Sequence, residues 1–192
     1  MHERTLSMFT FSKTYAIAGV RLGYLVVKPK VLQDRVRKLL GLTTNNVSSF
    51  VQYGGIGALE GSQSVVEAYR AELEARRNLF YDGIANAARG VFGGEPPKGA
   101  FYAFLRIEAS WMPPAGITAT SRSWAMVEHL IARARVGCVP GVDFGPAGEN
   151  HVRFCFARSR EELQGAIAAI GEAFATAALP STESSSASSL PG

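Results

Sequence analysis

The segment Thr10-Phe11-Ser12-Lys13-Thr14-Tyr15-Ala16-Ile17-Ala18-Gly19-Val20-Arg21-Leu22-Gly23 constrains this chain more than any other. It joins two short apolar runs. Thr5 to Phe11 interleaves Leu6, Met8, Phe9 and Phe11 with hydroxyls, and Arg21 to Val27 reads Arg-Leu-Gly-Tyr-Leu-Val-Val. Both runs predict strands. Lys13 then sits just past a strand end, among the hydroxyls of Thr10, Ser12 and Thr14, and Arg21 opens the next strand eight residues later. Gly19 and Gly23 let a backbone approach closely. A lysine so placed can form a Schiff base with a carbonyl. The hydroxyls and the guanidinium suit a phosphate, which arginine grips in bidentate fashion. The plain alternative is a surface lysine beside a turn.

The rest of the chain interleaves helices and strands, which predicts a mixed α/β class. Pro29 opens a helix as its first residue, with Leu32, Val36, Leu39 and Leu40 at helical spacing. A short helix runs from about Ser49 to Leu59, closed by Gly61. The longest helix, about Val65 to Arg89, starts at a Ser64-x-x-Glu67 capping box. After Gly93-Gly94-Glu95-Pro96-Pro97, the residues Phe101 to Leu105 read as a strand. Ser121 to Ala134 reads as a helix with Trp124, Val127, Leu130 and Ala134 inward, and Val152 to Phe156 as a strand. Ser159-x-x-Glu162 is a second capping box, before a helix whose face is Leu163, Ala166, Ile167, Ile170 and Phe174. Pro180 to Gly192 holds six serines and no aromatic residue, the composition of a disordered tail.

Composition narrows the class. Of 192 residues, 47% are hydrophobic, enough for a packed core. The net charge of +4 is small and unclustered, which gives no case for nucleic acid. No apolar run approaches the length of a membrane span. Two cysteines, Cys138 and Cys155, form no disulfide framework and have no metal spacing; buried thiols and a reducing cytoplasm fit them. His129 and His151 lack metal-like partners, so no metal site is expected. Gly54-Gly55-x-Gly57 lacks the strand-then-helix setting of a dinucleotide loop.

The Ser12-Lys13, Gly19-x-Arg21 and Leu22-Gly23 features resemble the lysine-attachment motif of the class I/II aminotransferases, which depend on pyridoxal 5'-phosphate (PLP) and share the aspartate-aminotransferase fold, fold type I. Thr10 departs from the serine or glycine usual at its position but keeps a hydroxyl. A later block, Val139-Pro140-Gly141-Val142-Asp143-Phe144-Gly145 followed by Val152-Arg153-Phe154, resembles the family's substrate-binding strand. Weaker likenesses lie at Gln52 with Ala58-Leu59 and at Gly99-Ala100-Phe101-Tyr102. The resemblance implies that Lys13 binds the cofactor and is the catalytic residue, that Thr10, Ser12 and Arg21 hold its phosphate, and that Arg153 grips the substrate α-carboxylate. Taken alone, Arg153 equally suits a structural pairing with an acid such as Glu149.

The resemblance covers the later part of the family fold: the end of a large domain and a small α/β domain. The expected division is residues 1–60 as a remnant of the PLP-binding large domain, 61–179 as the small domain with its long connecting helix, and 180–192 as the tail. The implied function is transfer of an amino group from an amino acid to a 2-oxo acid, in a homodimer when complete. Because the family's ring-binding residues precede the lysine segment, the chain is expected to be truncated and inactive alone, or completed by a partner chain. A non-enzymatic remnant, or another PLP chemistry such as a β-lyase or decarboxylase, is the alternative. Leu6, Met8, Phe9, Phe11, Leu25 and Val27 are expected to lack half their packing partners.

Overall fold

The computed structural model describes residues 2–175. The tail expected over 180–192 lies outside the described residues. The chain separates into two compact units, Met1–Ala71 and Glu72–Gly192.

The first unit is built on a hairpin. Strand β1 (Ser7–Thr10) pairs antiparallel with β2 (Gly23–Val26), in the register Ser7↔Val26 to Thr10↔Gly23. The Phe11 N–H donates to the Leu22 carbonyl at 3.1 Å and adds one rung. Everything between, including Ser12, Lys13 and Arg21, is the hairpin's loop. Phe11 and Leu22 are the buried apolar residues of this unit. Helix α2 (Ser49–Glu60) seats on them through Gly55, where a Cβ would stand 2.5 Å from Leu22 Cδ2. Only a glycine lets the helix come that close. The glycine cluster is thus inside a helix, and Gly55 serves its packing.

Helix α1 (Lys30–Thr43) begins one residue later than its sequence suggests. Pro29 is its N-cap, with extended backbone, and its carbonyl accepts from the Leu32 and Gln33 N–H groups. None of the α1 stripe is buried: Leu32 and Val36 are half-buried, and Leu39 and Leu40 are exposed. Met8 is 83% exposed, and Leu42 and Phe50 each 77%. Of the six apolar residues expected to lack partners, Phe11 is buried, Leu25 and Val27 are half-buried, and Leu6, Met8 and Phe9 are exposed.

Helix α3 (Ser64–Ala87) carries the chain from the first unit into the second. Its predicted capping box does not form. Ser64 lies within the helix, and its N–H is taken by the Ser62 hydroxyl at 3.3 Å. Glu67 turns forward to Arg70, whose Nε and Nη2 reach its carboxylate at 2.6–3.0 Å. A two-pronged charged contact outcompetes a single N–H.

The second unit holds an antiparallel sheet in the order β3-β4-β6-β5. The strands are β3 (Phe92–Gly93), β4 (Tyr102–Ile107), β5 (Val139–Pro140) and β6 (His151–Cys155). The two-residue strands β3 and β5 are too short to show a period in sequence. Alternation along β4 and β6 buries Ala103, Leu105, Ile107, Val152 and Phe154 against α3, α4 (Arg122–Ala134) and α5 (Arg160–Ala175). Leu130, Ile170 and Met126 are fully enclosed, each worth about 1.5–3 kcal/mol of burial. The opposite face carries Tyr102, Phe104, Arg106, His151, Arg153 and Cys155.

The second capping box forms: Glu162 accepts from the Ser159 N–H at 3.0 Å, and the Ser159 hydroxyl accepts from the Glu162 N–H at 3.2 Å. Ser121 caps α4 by accepting from the Trp124 N–H. The α4 stripe is Ser123, Met126, Val127, Leu130 and Ala134, so Trp124 falls beside it and is 40% exposed, not inward. Small Ser123 is fully buried there instead. The cysteines depart from the buried reading. Cys138 is half-buried, its thiol pushed up to about 12 by burial, while Cys155 points from the open sheet face and is exposed. His129 is a core residue, and His151 stacks on Phe104 with ring centroids 4.9 Å apart.

Candidate active site

The hairpin loop of the first unit gathers four of the five sequence-predicted residues. Thr10 ends β1, and its hydroxyl lies 2.9 Å from that of Ser12 and accepts the Ser12 N–H at 3.2 Å. These contacts turn the chain so that Lys13 follows on the exposed side of the loop. The Lys13 carbonyl accepts from the Ala16 N–H and the Phe11 carbonyl from the Tyr15 N–H, closing a compact turn around the lysine. Tyr15 stacks on buried Phe11 and donates to Gln63 Oε1 at 3.2 Å, tying the loop to the start of α3. Threonine at position 10 keeps its hydroxyl within this cluster.

Arg21 ends the short 3-10 turn Ala18–Val20 in a left-handed conformation, φ +60° and ψ +42°. That backbone costs a side chain about 1 kcal/mol relative to glycine. Its Nη1 donates to the Ala18 carbonyl at 3.0 Å, which holds the guanidinium back over the loop.

Arg153 belongs to the second unit, at the middle of β6, opposite Phe104 on β4 and Val139 on β5. Its guanidinium carbon lies 4.3 Å from the Tyr102 ring centroid and 4.5 Å from that of Phe144. Among the described residues it makes no ion pair. Glu149 is committed elsewhere: its Oε1 accepts from the N–H groups of Arg122 at 2.9 Å and Ser123 at 3.2 Å, at the start of α4. Burial would raise that carboxyl, but hydrogen bonds from Ser123, Arg122 and Ser121 outweigh it and hold it below the ordinary 4.5. Tyr102 and Phe144 are the site residues that sequence reasoning missed. Phe144 was visible inside the Val139–Gly145 block, but nothing local showed that it reaches the arginine.

The loop that carries Phe144 is locked by two glycines. A Cβ on Gly141 would stand 2.2 Å from the Gly148 carbonyl oxygen, and one on Gly148 2.0 Å from that of Gly141. Neither position admits a side chain.

Known proteins match this chain over most of its length. The family described as aminotransferase class I and II matches residues 1–170, and the chain belongs to it. An aromatic-amino-acid aminotransferase 2 from Thermococcus litoralis is 38% identical over 169 residues, covering 87% of this chain and 40% of that protein. An aspartate aminotransferase from Pyrococcus horikoshii is 37% identical over 163 residues, covering 84% of this chain and 39% of that protein. Among solved structures, the aspartate aminotransferase from Rhizobium meliloti superposes with a TM-score of 0.80 at 29% identity, covering 90% of this chain and 42% of that one. The fold is therefore the later portion of fold type I, and the chain spans about two fifths of the length of these relatives.

The family works with PLP, and the donor set of the hairpin loop fits that group chemically. Thr10, Ser12 and Arg21 offer two hydroxyls and a guanidinium to a phosphate, and Lys13 offers an amine to an aldehyde. Among the described residues there is no cluster able to hold a metal ion and no helix long and apolar enough to cross a membrane.

Proposed function

We propose that this chain forms the lysine-bearing part of a PLP-dependent amino-acid aminotransferase, which moves an amino group from an amino acid to a 2-oxo acid. The observation that carries the reading is the single hairpin loop that holds Thr10, Ser12, Lys13 and Arg21. The bond from Arg21 Nη1 to the Ala18 carbonyl, which holds the guanidinium over that loop, supports it. So does the ion-pair-free state of Arg153 among the described residues.

The cofactor, when bound, supplies an electron sink that weakens the bonds at the substrate Cα. The chain's own residues do the rest. The Thr10 and Ser12 hydroxyls and the Arg21 guanidinium would hold its phosphate. Lys13 Nζ would hold the aldehyde of the cofactor and, as a free amine, would take a proton from the substrate Cα and hand it back. Arg153, in the second unit, would hold a substrate α-carboxylate through a planar fork, which fixes the orientation of the bound acid. The complete protein acts as a homodimer, or is completed by a chain that supplies the rest of the large domain. We place it in the cytoplasm, where the free thiols of Cys138 and Cys155 persist.

The test is to incubate the chain with PLP, reduce with borohydride, and map the modified peptide by mass spectrometry. Modification at Lys13 is expected. Modification spread over Lys28, Lys30, Lys38 and Lys98 instead would remove the basis of the reading.

A further inference from the structure

We propose that Tyr102 and Phe144 are positioning residues for Arg153, forming an aromatic clamp that presents the edge of its guanidinium to a carboxylate. This rests on the reading of Arg153 as the carboxylate grip.

The clamp comes from two separate parts of the second unit. Tyr102 opens β4 and pairs with Cys155, which puts it diagonally beside Arg153 on the open sheet face. Phe144 ends the 3-10 segment Gly141–Phe144 and packs edge-on against Phe104, with centroids 6.2 Å apart. Phe104 in turn lies directly opposite Arg153 and stacks on His151. Tyr102 reaches the guanidinium from β4 and Phe144 from the 3-10 segment, and among the described residues the two rings make no contact with each other. A guanidinium's N–H donors all lie in its plane, while its faces make no hydrogen bonds. Two rings within 4.5 Å of the guanidinium carbon shield it from water and set no carboxylate against its N–H groups. They also restrict the long arginine side chain to a narrow set of rotamers before any ligand arrives, which lowers the ordering cost of binding. The ligand that fits best is a planar carboxylate, because the out-of-plane oxygens of a sulfate or phosphate held by the same fork would press against the neighbouring rings. Lysine could not use such a clamp, because it has neither planar faces nor a fork.

The experiment uses the full chain and phenylglyoxal, which modifies accessible guanidinium groups. The rate at Arg153 is followed by peptide mass mapping, alone and with saturating 2-oxoglutarate or sulfate. Arg133 and Arg135, exposed at the end of α4, are internal controls. In the unmodified chain 2-oxoglutarate should slow the reaction at Arg153 and sulfate should not. Phe144→Leu and Tyr102→Leu should each raise the Arg153 rate roughly two- to fivefold, the factor a cation–π contact of this kind is worth, and lose protection by 2-oxoglutarate. Phe144→Tyr and Tyr102→Phe should keep both properties. Unchanged rates and protection in the leucine variants, with controls unaltered, overturn the clamp. Faster reaction at the controls as well would show a general loosening of the fold and equally overturn a specific clamp. Equal protection by sulfate overturns the planar-anion preference. Absence of 2-oxoglutarate protection in the unmodified chain overturns the carboxylate role of Arg153 itself, a failure distinct from that of the clamp.

Discussion

Glu149 provides the sharpest test of how the second unit is held. The first N–H groups of a helix have no partner within it. In α4 the Arg122 and Ser123 N–H groups go to Glu149 and the Trp124 N–H to the Ser121 hydroxyl. Helix α4 buries seven residues, so its start sits against the core, where water is a poor substitute. Glu149→Ala removes one carboxylate from two donors. A hydrogen bond to a charged group is worth about 1.5–3 kcal/mol, and a negative charge at a helix start about 0.3–1 kcal/mol. The two bonds share one acceptor and do not add fully, so the expected loss is about 2–3 kcal/mol. Both tryptophans, Trp111 and Trp124, lie in this unit, so their fluorescence in urea reports it directly. With a slope of about 1–3 kcal/mol per molar urea, the midpoint should fall by about 1–2 M. The carboxyl is held below its ordinary 4.5, so its contribution is complete above that pH and is lost as the pH falls through its folded value. Glu149→Gln should therefore be less stable than the unmodified chain at neutral pH, and the gap should close as the pH falls below 4.5 and through the folded value. A Glu149→Ala midpoint within experimental scatter of the unmodified chain, or a gap that ignores pH, would refute the capping argument.

Gly148→Ala should cost on the order of 3 kcal/mol, because its Cβ meets backbone at 2.0 Å, and it should also speed phenylglyoxal modification of Arg153 by displacing Phe144. Arg21→Gly should leave the first unit unharmed or stabilise it by about 1 kcal/mol by relieving the left-handed backbone, while weakening PLP binding measured by absorbance titration; loss of both stability and binding would argue for a structural arginine. Glu72 pairs α3 with α5 through Arg160, and hydrogen bonds from Arg160 and Arg76 hold its carboxyl down to about 2. Its contribution should be present above 4.5, fade as pH falls toward about 2, shrink in high salt, and vanish in Glu72→Gln. The exposed apolar residues of the first unit, among them Met8, Leu42, Phe50 and Tyr53, should make the chain self-associate in light scattering; a monodisperse monomer would contradict this.

The parts legible in the sequence were those set by local chemistry. Serine and glutamate three apart at Ser159 and Glu162 closed a capping box, and alternation along Tyr102–Ile107 gave the buried face of β4. The same local reasoning failed at Ser64 and Glu67, where Arg70 one turn on offered the carboxylate a stronger partner. It failed again at Trp124, because burial on α4 follows the face of the helix, where small Ser123 is fully buried, and not the size of the side chain. The hairpin loop was legible because its residues lie within fourteen positions of one another.

The surroundings of Arg153 were not legible, and the reason lies in a competition between partners. Glu149 and Arg153 are four residues apart, near enough in sequence to suggest an ion pair. The start of α4 lies 26 and 27 residues from Glu149, yet it takes the carboxylate. It offers two aligned N–H donors and the positive end of a helix, held in place by a buried core. An exposed ion pair on the sheet face would be worth at most about 1 kcal/mol. The helix start wins, and its contact with Glu149 pins the loop that the Gly141–Gly148 contact has already folded tight. Phe144 is thereby carried over the arginine in place of the acid. A carboxylate beside Arg153 would have neutralised it. A ring there leaves the charge without a counter-ion among the described residues.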